Sequence, residues 1–506
     1  MPELLDSYGN VKIMSGSEEQ LPYYIVLEPE LNEDEKNILA HDSSLIGNYK
    51  EVMDDLGRIH STSEKEEFLK EYLKTRIKDR NVREENLSHI VSAIMDDLFL
   101  GYNRLGPLMR DEALEEIMVN GVETPVFVVH RRHGMCTTNI TFETVQEIND
   151  IINWLSNYVG RKINEENPLL DAHMPDGSRA NVAIPPAAPY GPAITIRKFK
   201  KTPYNMVDLI KIGSVSSELA AFLWVCVEGL GIAPKDILIA GGAGSGKTTL
   251  MNALAMFIPK TERIVTVEDT LELNFEFIEN WVPLEASPTT MKQSDTLTMH
   301  NLLKNSLRMR PDRVIVGEVR GKEAETLFVA MDIGLEGSMG TLHANNARET
   351  TIRLMDEPMN VPLRMMPLLN LIVVMNRIFD RKRGMMRRVT QVSEISGIEA
   401  DVVQLGDIYR YDLNADKIVR TEYPILLTEK IAAKCAVSKK RINNEILIRQ
   451  KVLEHMVAKD ITDNDKAVEM FQKYHVNPRS VISHIRDGYQ NLPENDNSLD
   501  DAVKND

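Results

Sequence analysis

The sequence predicts an α/β fold: a parallel sheet covered by helices on both faces, with an α+β region ahead of it in the chain. Three observations carry this. Short apolar runs at 236–240 (DILIA), 263–269 (RIVTVED), 313–319 (RVIVGEV) and 338–344 (SMGTLHA) alternate with helical stretches, the pattern of strands buried on both faces. A glycine-rich loop follows the first run and opens a helix. Residues 1–200 lack this alternation and mix hairpin-like runs with amphipathic helices.

The elements read as follows. YYIVL (23–27) is a strand, followed by an acidic helix start. EEFLKEYLKTRIKD (66–79) and NLSHIVSAIMDDLFL (86–100) space apolar residues by three and four, so 62–100 is helical, with Gly101 as a C-terminal cap. A short helix is expected in 101–121, framed by Pro107 and the turn Asn120-Gly121. Residues 124–142 read as a hairpin turning at His133-Gly134, and 144–160 as an amphipathic helix. Pro175-Asp176-Gly177 is a turn, and AITIRKF (193–199) a strand. Helices are expected at 216–230 and 296–308. The expected organisation is an N-terminal region at 1–95, an α+β domain at 96–200 and a linker at 201–214. An α/β domain with a helical C-terminal part follows at 215–490, then a disordered acidic tail at 491–506.

Composition narrows the function classes. The net charge of −17 disfavours a protein that coats nucleic acid by bulk attraction, so no nucleic-acid partner is expected. No apolar run reaches the roughly 18 residues of a membrane span, and the start carries no secretory-signal pattern. Three distant cysteines, Cys136, Cys226 and Cys435, form neither a zinc spacing nor a disulfide framework, which fits a reducing compartment.

Four segments carry chemistry. GGAGSGKTT comprises Gly241, Gly242, Ala243, Gly244, Ser245, Gly246, Lys247, Thr248 and Thr249 and fits G-x-x-x-x-G-K-[ST]. Its glycines expose N–H groups to phosphate oxygens, Lys247 reaches the β and γ phosphates, and Thr248 offers a hydroxyl to Mg²⁺. The helix that follows aims its positive end at the same phosphates. The implied cofactors are ATP and Mg²⁺. RVIVGEV carries Glu318 near its end, where a P-loop enzyme places a water-orienting or metal-linked carboxylate, with Gly317 before it instead of an aspartate. Glu268, Asp269 and Glu272 follow RIVTV; their spacing does not rank them between metal, water and a plain solvated turn. His343 ends the run SMGTLHA, at a position suited to sensing a γ-phosphate.

These four segments, in this order, resemble the Walker A, aspartate-box, atypical Walker B and histidine-box motifs of the type II/type IV secretion ATPase superfamily. The resemblance covers roughly 95–400. It includes YNRLGPLMRDEALEEIMVNG, LLDAHMPDGSRANVAIPP and ITIRKF in the N-terminal half. The stretch 348–395 is most similar to euryarchaeal archaellum motor ATPases. One departure is Ile333-Gly334-Leu335, where the family commonly carries a TGH-like triplet, so His343 is the one histidine carried over.

The resemblance implies a RecA-like P-loop domain behind an α+β domain, assembled as a homohexamer. It implies ATP hydrolysis that drives assembly and rotation of an archaellum through a polytopic membrane platform protein, with a regulatory accessory ATPase. The alternative is pilus assembly or type II/IV secretion. The place of action would be the inner face of the cell membrane. Glu318, Glu272, Glu268 and His343 would be catalytic, and Thr248, Asp269 and Glu318 would serve the metal. Family arginines would reach the nucleotide from the interdomain region; Arg179 and Arg197 are the candidates, with Arg320 and Arg353 behind them. The basic run 381–388 (RKRGMMRR) reads more plainly as a solvated turn than as a platform or lipid contact.

Overall fold

A computed structural model of the chain describes residues 3–16, 20–40, 62–78, 80–198, 203–286, 297–380 and 384–486. It divides into two compact units, Met1–Lys201 and Thr202–Asp506.

The described residues of the first unit form nine strands: β1 Leu4–Tyr8, β2 Val11–Met14, β3 Tyr23–Val26, β4 Leu114–Asn120, β5 Pro125–His130, β6 Gly134–Thr141, β7 Leu169–His173, β8 Arg179–Ala183 and β9 Ala193–Arg197. They join one sheet in the order β1-β2-β3-β6-β5-β4-β9-β8-β7. Helix Val145–Val159 starts with a capping box, Thr144 with Glu147, and ends at Gly160 in the left-handed region. Its buried face (Ile148, Ile151, Ile152, Leu155) shares a core with Ile117, Val128 and Ile196 of the sheet. Helices Glu33–Ala40, Thr62–Ile77 and Glu84–Leu98 bury a separate cluster around Leu73, Ile90 and Ile94.

Three expectations change here. Residues 114–120 are a strand; in the segment read as a short helix, a 3-10 turn at Asn103–Leu105 and helix Gly106–Arg110 are the helical part. LEEIMVN has helix-favouring glutamates, but pairing with β5 and β9 overrides local propensity. The boundary expected at residue 95 does not part the sheet, because β3 pairs with β6 across it. The linker expected at 201–214 contains helix Met206–Lys211, which Asn205 and Asp208 cap. Its Met206, Val207 and Leu209 are buried in the second unit's core.

The second unit's strands are β10 Ile237–Gly241, β11 Ile264–Glu268, β12 Trp281–Glu285, β13 Arg313–Val319, β14 Met339–Leu342, β15 Leu371–Asp380, β16 Gly384–Glu399, β17 Val402–Asp412 and β18 Lys417–Arg420. Their order is β12-β11-β13-β14-β10-β15-β16-β17-β18. The strands from β12 to β15 in that order run parallel, and β16–β18 extend the sheet antiparallel. Ile237 and Ile239 pack on one face with helices Ser217–Glu228 and Lys247–Ala255. Leu238, Ala240, Val265 and Val314 pack on the other with Leu303, Leu327 and Leu354 from helices Met299–Ser306, Glu323–Asp332 and Ala347–Met355. This is the RecA-like arrangement expected. The antiparallel extension was not, although 384–399 is a long strand in which several buried residues face the core.

Helices Leu426–Lys434, Lys439–Ala458, Asn464–Val476 and Pro478–Arg486 complete the unit. The tail expected at 491–506 lies outside the described residues. Among the described residues no helix is long and apolar enough to cross a membrane.

Candidate active site

In an open parallel sheet the carboxyl ends of the strands, and the loops that leave them, are where ligands bind. Here the chemistry-bearing segments leave β10, β11, β13 and β14 at that edge. The loop after β10 can turn only because of its glycines. A β-carbon on Gly241 would stand 2.4 Å from the Met375 carbonyl oxygen. Gly244 and Gly246 hold φ of +65° and +98°, a region that side chains disfavour. Helix Lys247–Ala255 begins at once, so the loop's amides and the positive end of the helix share one spot.

Lys247 lies back along the loop. Its Nζ donates to the carbonyls of Gly241 (3.0 Å) and Gly242 (3.1 Å) and stands 4.0 Å from Glu318 Oε1. Thr248 donates its hydroxyl to Glu272 Oε2 at 3.1 Å. Asn252, one turn along the helix, fixes the acidic loop from below: its Oδ1 accepts from Asn274 N at 2.9 Å. Its Nδ2 donates to the Thr248 carbonyl at 3.2 Å.

Glu268 ends β11 and is 2% exposed. Its Oε2 accepts from the amides of Glu272 (2.9 Å) and Leu273 (3.1 Å), while Oε1 is buried without a hydrogen-bond partner among the described residues. Burial pushes its carboxyl up to about 7. Asp269 faces Arg320 at 3.5 Å, and Arg320 also binds Glu318 Oε2 at 2.5 Å. The Thr341 hydroxyl donates to the Gly317 carbonyl at 2.6 Å, tying β14 to β13. His343 follows β14 and is exposed.

The structure therefore brings Lys247, Thr248, Glu268, Glu272, Asp269, Glu318 and Arg320 into one chain of contacts. It pairs them differently from the expected metal set: Glu272 meets the Thr248 hydroxyl, whereas Asp269 meets Arg320. Arg353 pairs with Glu349 one turn away on its own helix. Arg179 and Arg197 are direct cross-strand partners on β8 and β9 and belong to the first unit, whereas the glycine-rich loop belongs to the second. Asn252 escaped the sequence reading, although its spacing of four from Thr248 places both on one helix face. Arg387 escaped it as well; its Nε donates to the Gly244 carbonyl at 2.9 Å.

The donors fit a magnesium ion that arrives with a nucleotide. Among the described residues no group of three or more His, Cys, Asp or Glu side chains could hold a metal. A hydroxyl beside a carboxylate is a hard-oxygen pair, and Mg²⁺ takes its remaining ligands from phosphate and water.

Comparison with known proteins agrees with this geometry. The family model described as type II/IV secretion system protein matches residues 102–488. An uncharacterized protein of Methanocaldococcus jannaschii is 39% identical over 348 residues, covering 66% of this chain and 46% of its own length. The chain thus spans about half the length of that relative. The type IV secretion system protein PtlH of Bordetella pertussis is 31% identical over 287 residues, covering 51% of this chain and 84% of its own. The crystal structure of the VirB11 ATPase from the Brucella suis type IV secretion system aligns at 25% identity over 58% of this chain and 93% of that one. The TM-score of that alignment is 0.29. The family model spans most of the chain and every segment of the site, and the chain belongs to the type II/IV secretion system protein family.

Proposed function

We propose that the second unit binds ATP with Mg²⁺ and hydrolyses it, and that a homohexamer of the chain passes the resulting motion to a membrane-embedded filament or secretion apparatus. The carrying observation is the placement of Lys247 between its own loop carbonyls and Glu318, 4.0 Å away. Incoming phosphates offer this ammonium better acceptors than two neutral carbonyls.

In this reading the loop amides of 242–249 and Lys247 hold the phosphates. Thr248 and Glu272 hold Mg²⁺, which neutralises charge on the β and γ phosphates when bound. Glu318 orients the attacking water, and Glu268 shapes the acidic loop by holding the amides of Glu272 and Leu273. Its second oxygen, buried and unpartnered, is available as a proton acceptor at the same edge. His343 senses the γ-phosphate. Arg320 locks Asp269 and Glu318 together until phosphate competes for it.

The load is a polytopic platform protein on the inner face of the cell membrane. Secretion or pilus assembly is supported by the family and by the likeness to PtlH. Archaellum assembly and rotation, with an accessory regulatory ATPase, is supported by the resemblance of 348–395. Phosphate release by purified protein, lost in Lys247→Ala, tests the ATPase reading; equal release by both proteins would overturn it. The Lys247→Ala allele in the source cell, imaged by electron microscopy, tests the load. Loss of swimming filaments alone assigns the archaellum, and loss of pili or secretion alone assigns the other branch.

A further inference from the structure

The hairpin β15–β16 places two arginines beside the glycine-rich loop. Arg377 and Arg387 are direct cross-strand partners, so their side chains leave the sheet on one face, with β-carbons about 5 Å apart. Both reach the loop crest. Arg387 Nε donates to the Gly244 carbonyl at 2.9 Å, and its Cδ lies 3.6 Å from where a β-carbon on Gly246 would stand. Arg377 Nη1 lies 3.7 Å from where a β-carbon on Gly244 would stand. An anion held at the loop crest would meet both guanidiniums, which offer it charge-assisted hydrogen bonds.

The sheet order decides which part of a nucleotide they meet. β15 flanks β10 on one side, while β14 and β13 lie on the other. Glu318 and His343, the groups read as serving the γ-phosphate, lie near the end of β13 and just after β14. We infer that Arg377 and Arg387 bind the nucleotide from the opposite flank, on its α-phosphate side, and set affinity for ATP and ADP alike. This rests on the ATP-binding reading and deepens it.

It also divides the basic run 381–388. Arg388 is buried, bound to Asp416 at 2.9 Å and to the Ile212 carbonyl at 3.1 Å, so it serves the core. Arg387 serves the loop.

Calorimetric titration of the full chain with Mg-ADP and Mg-ATPγS tests the inference, using wild type, Arg377→Gln, Arg387→Gln and Arg387→Lys. The expected result is an affinity loss of about tenfold for each glutamine variant, equal for the two nucleotides, with partial recovery in Arg387→Lys. In phosphate release, KM should rise while kcat stays within about twofold. Arg377 is exposed, so Arg377→Gln should keep the wild-type melting temperature even if Arg387→Gln does not. Unchanged ADP affinity in a folded Arg377→Gln would overturn the inference, as would a loss confined to ATPγS. Wild-type protein that bound neither nucleotide would instead overturn the ATP reading itself.

Discussion

A β-carbon on Gly317 would stand 2.7 Å from Cγ of Glu268. The two residues directly follow Val316 and Val267, the last positions at which β13 and β11 pair with each other, and the glutamate fills the space that a side chain at 317 would need. The missing aspartate before Glu318 thus has a steric reason in this chain. Gly317→Ala should cost about 1–3 kcal/mol by overpacking and should lower phosphate release by displacing Glu268. Denaturant midpoint and turnover measured together check this; a variant normal in both would mean that the pocket yields easily.

Glu268 also makes stability depend on pH. Burial raises its carboxyl from 4.5 to about 7. Between these values the folded chain keeps a proton that the unfolded chain releases. Its contribution is therefore full below pH 4.5 and is lost as pH rises through 7. Across this window wild type should lose roughly 3 kcal/mol relative to Glu268→Gln, the size of the shift at 1.36 kcal/mol per unit. Urea unfolding of both proteins at a series of pH values reads the difference directly. Parallel curves would show that the group titrates as it does in the unfolded chain.

The parts of this molecule legible in its sequence are those set by neighbours in the chain. The loop 241–249, its flanking strand and its helix are one local unit, and the glycines and lysine announce it. The apolar runs of β11, β13 and β14 are legible because both faces of each strand are buried. The pairing of Glu268 with Gly317, or of Arg387 with Gly244, arises only when separate strands meet, and no local spacing encodes it. The β4 segment misled for a related reason: its glutamates favour a helix, and its strand state depends on partners 9 to 81 residues away. Arg387 was hidden by its neighbours, because a dense basic run reads as solvated surface even when alternate residues point to opposite faces of a strand.

Thr248 and Glu272 should govern metal dependence. Their 3.1 Å contact sets two oxygen ligands side by side, whereas Asp269 is engaged by Arg320. Glu272→Gln should raise about tenfold the Mg²⁺ concentration needed for half-maximal ADP binding, because a neutral amide is a weak ligand for this ion. Asp269→Asn should leave that midpoint within about twofold. Calorimetric ADP titrations at graded Mg²⁺ give both values without relying on turnover. The reverse ranking would return the metal to Asp269.

Arg449 should hold the C-terminal helices to the sheet. It is 2% exposed, binds Glu445 Oε2 at 2.7 Å and binds Glu228. Its guanidinium carbon lies 4.9 Å from the Tyr474 ring centre and 5.3 Å from that of Trp224. Glu228 also meets His475 at 2.6 Å. Helices Ser217–Glu228, Lys439–Ala458 and Asn464–Val476 thus converge on one buried cation. Removing it leaves Glu228 and Glu445 buried with too little positive charge. Breaking a buried pair from one side in this way costs about 3–5 kcal/mol. Arg449→Ala should lose that much in urea unfolding, and limited proteolysis should cut first within 435–486. Glu445→Gln should cost less, because Arg449 keeps Glu228 as its partner. A larger loss in Glu445→Gln than in Arg449→Ala would mean that the carboxylates, not the guanidinium, organise the cluster.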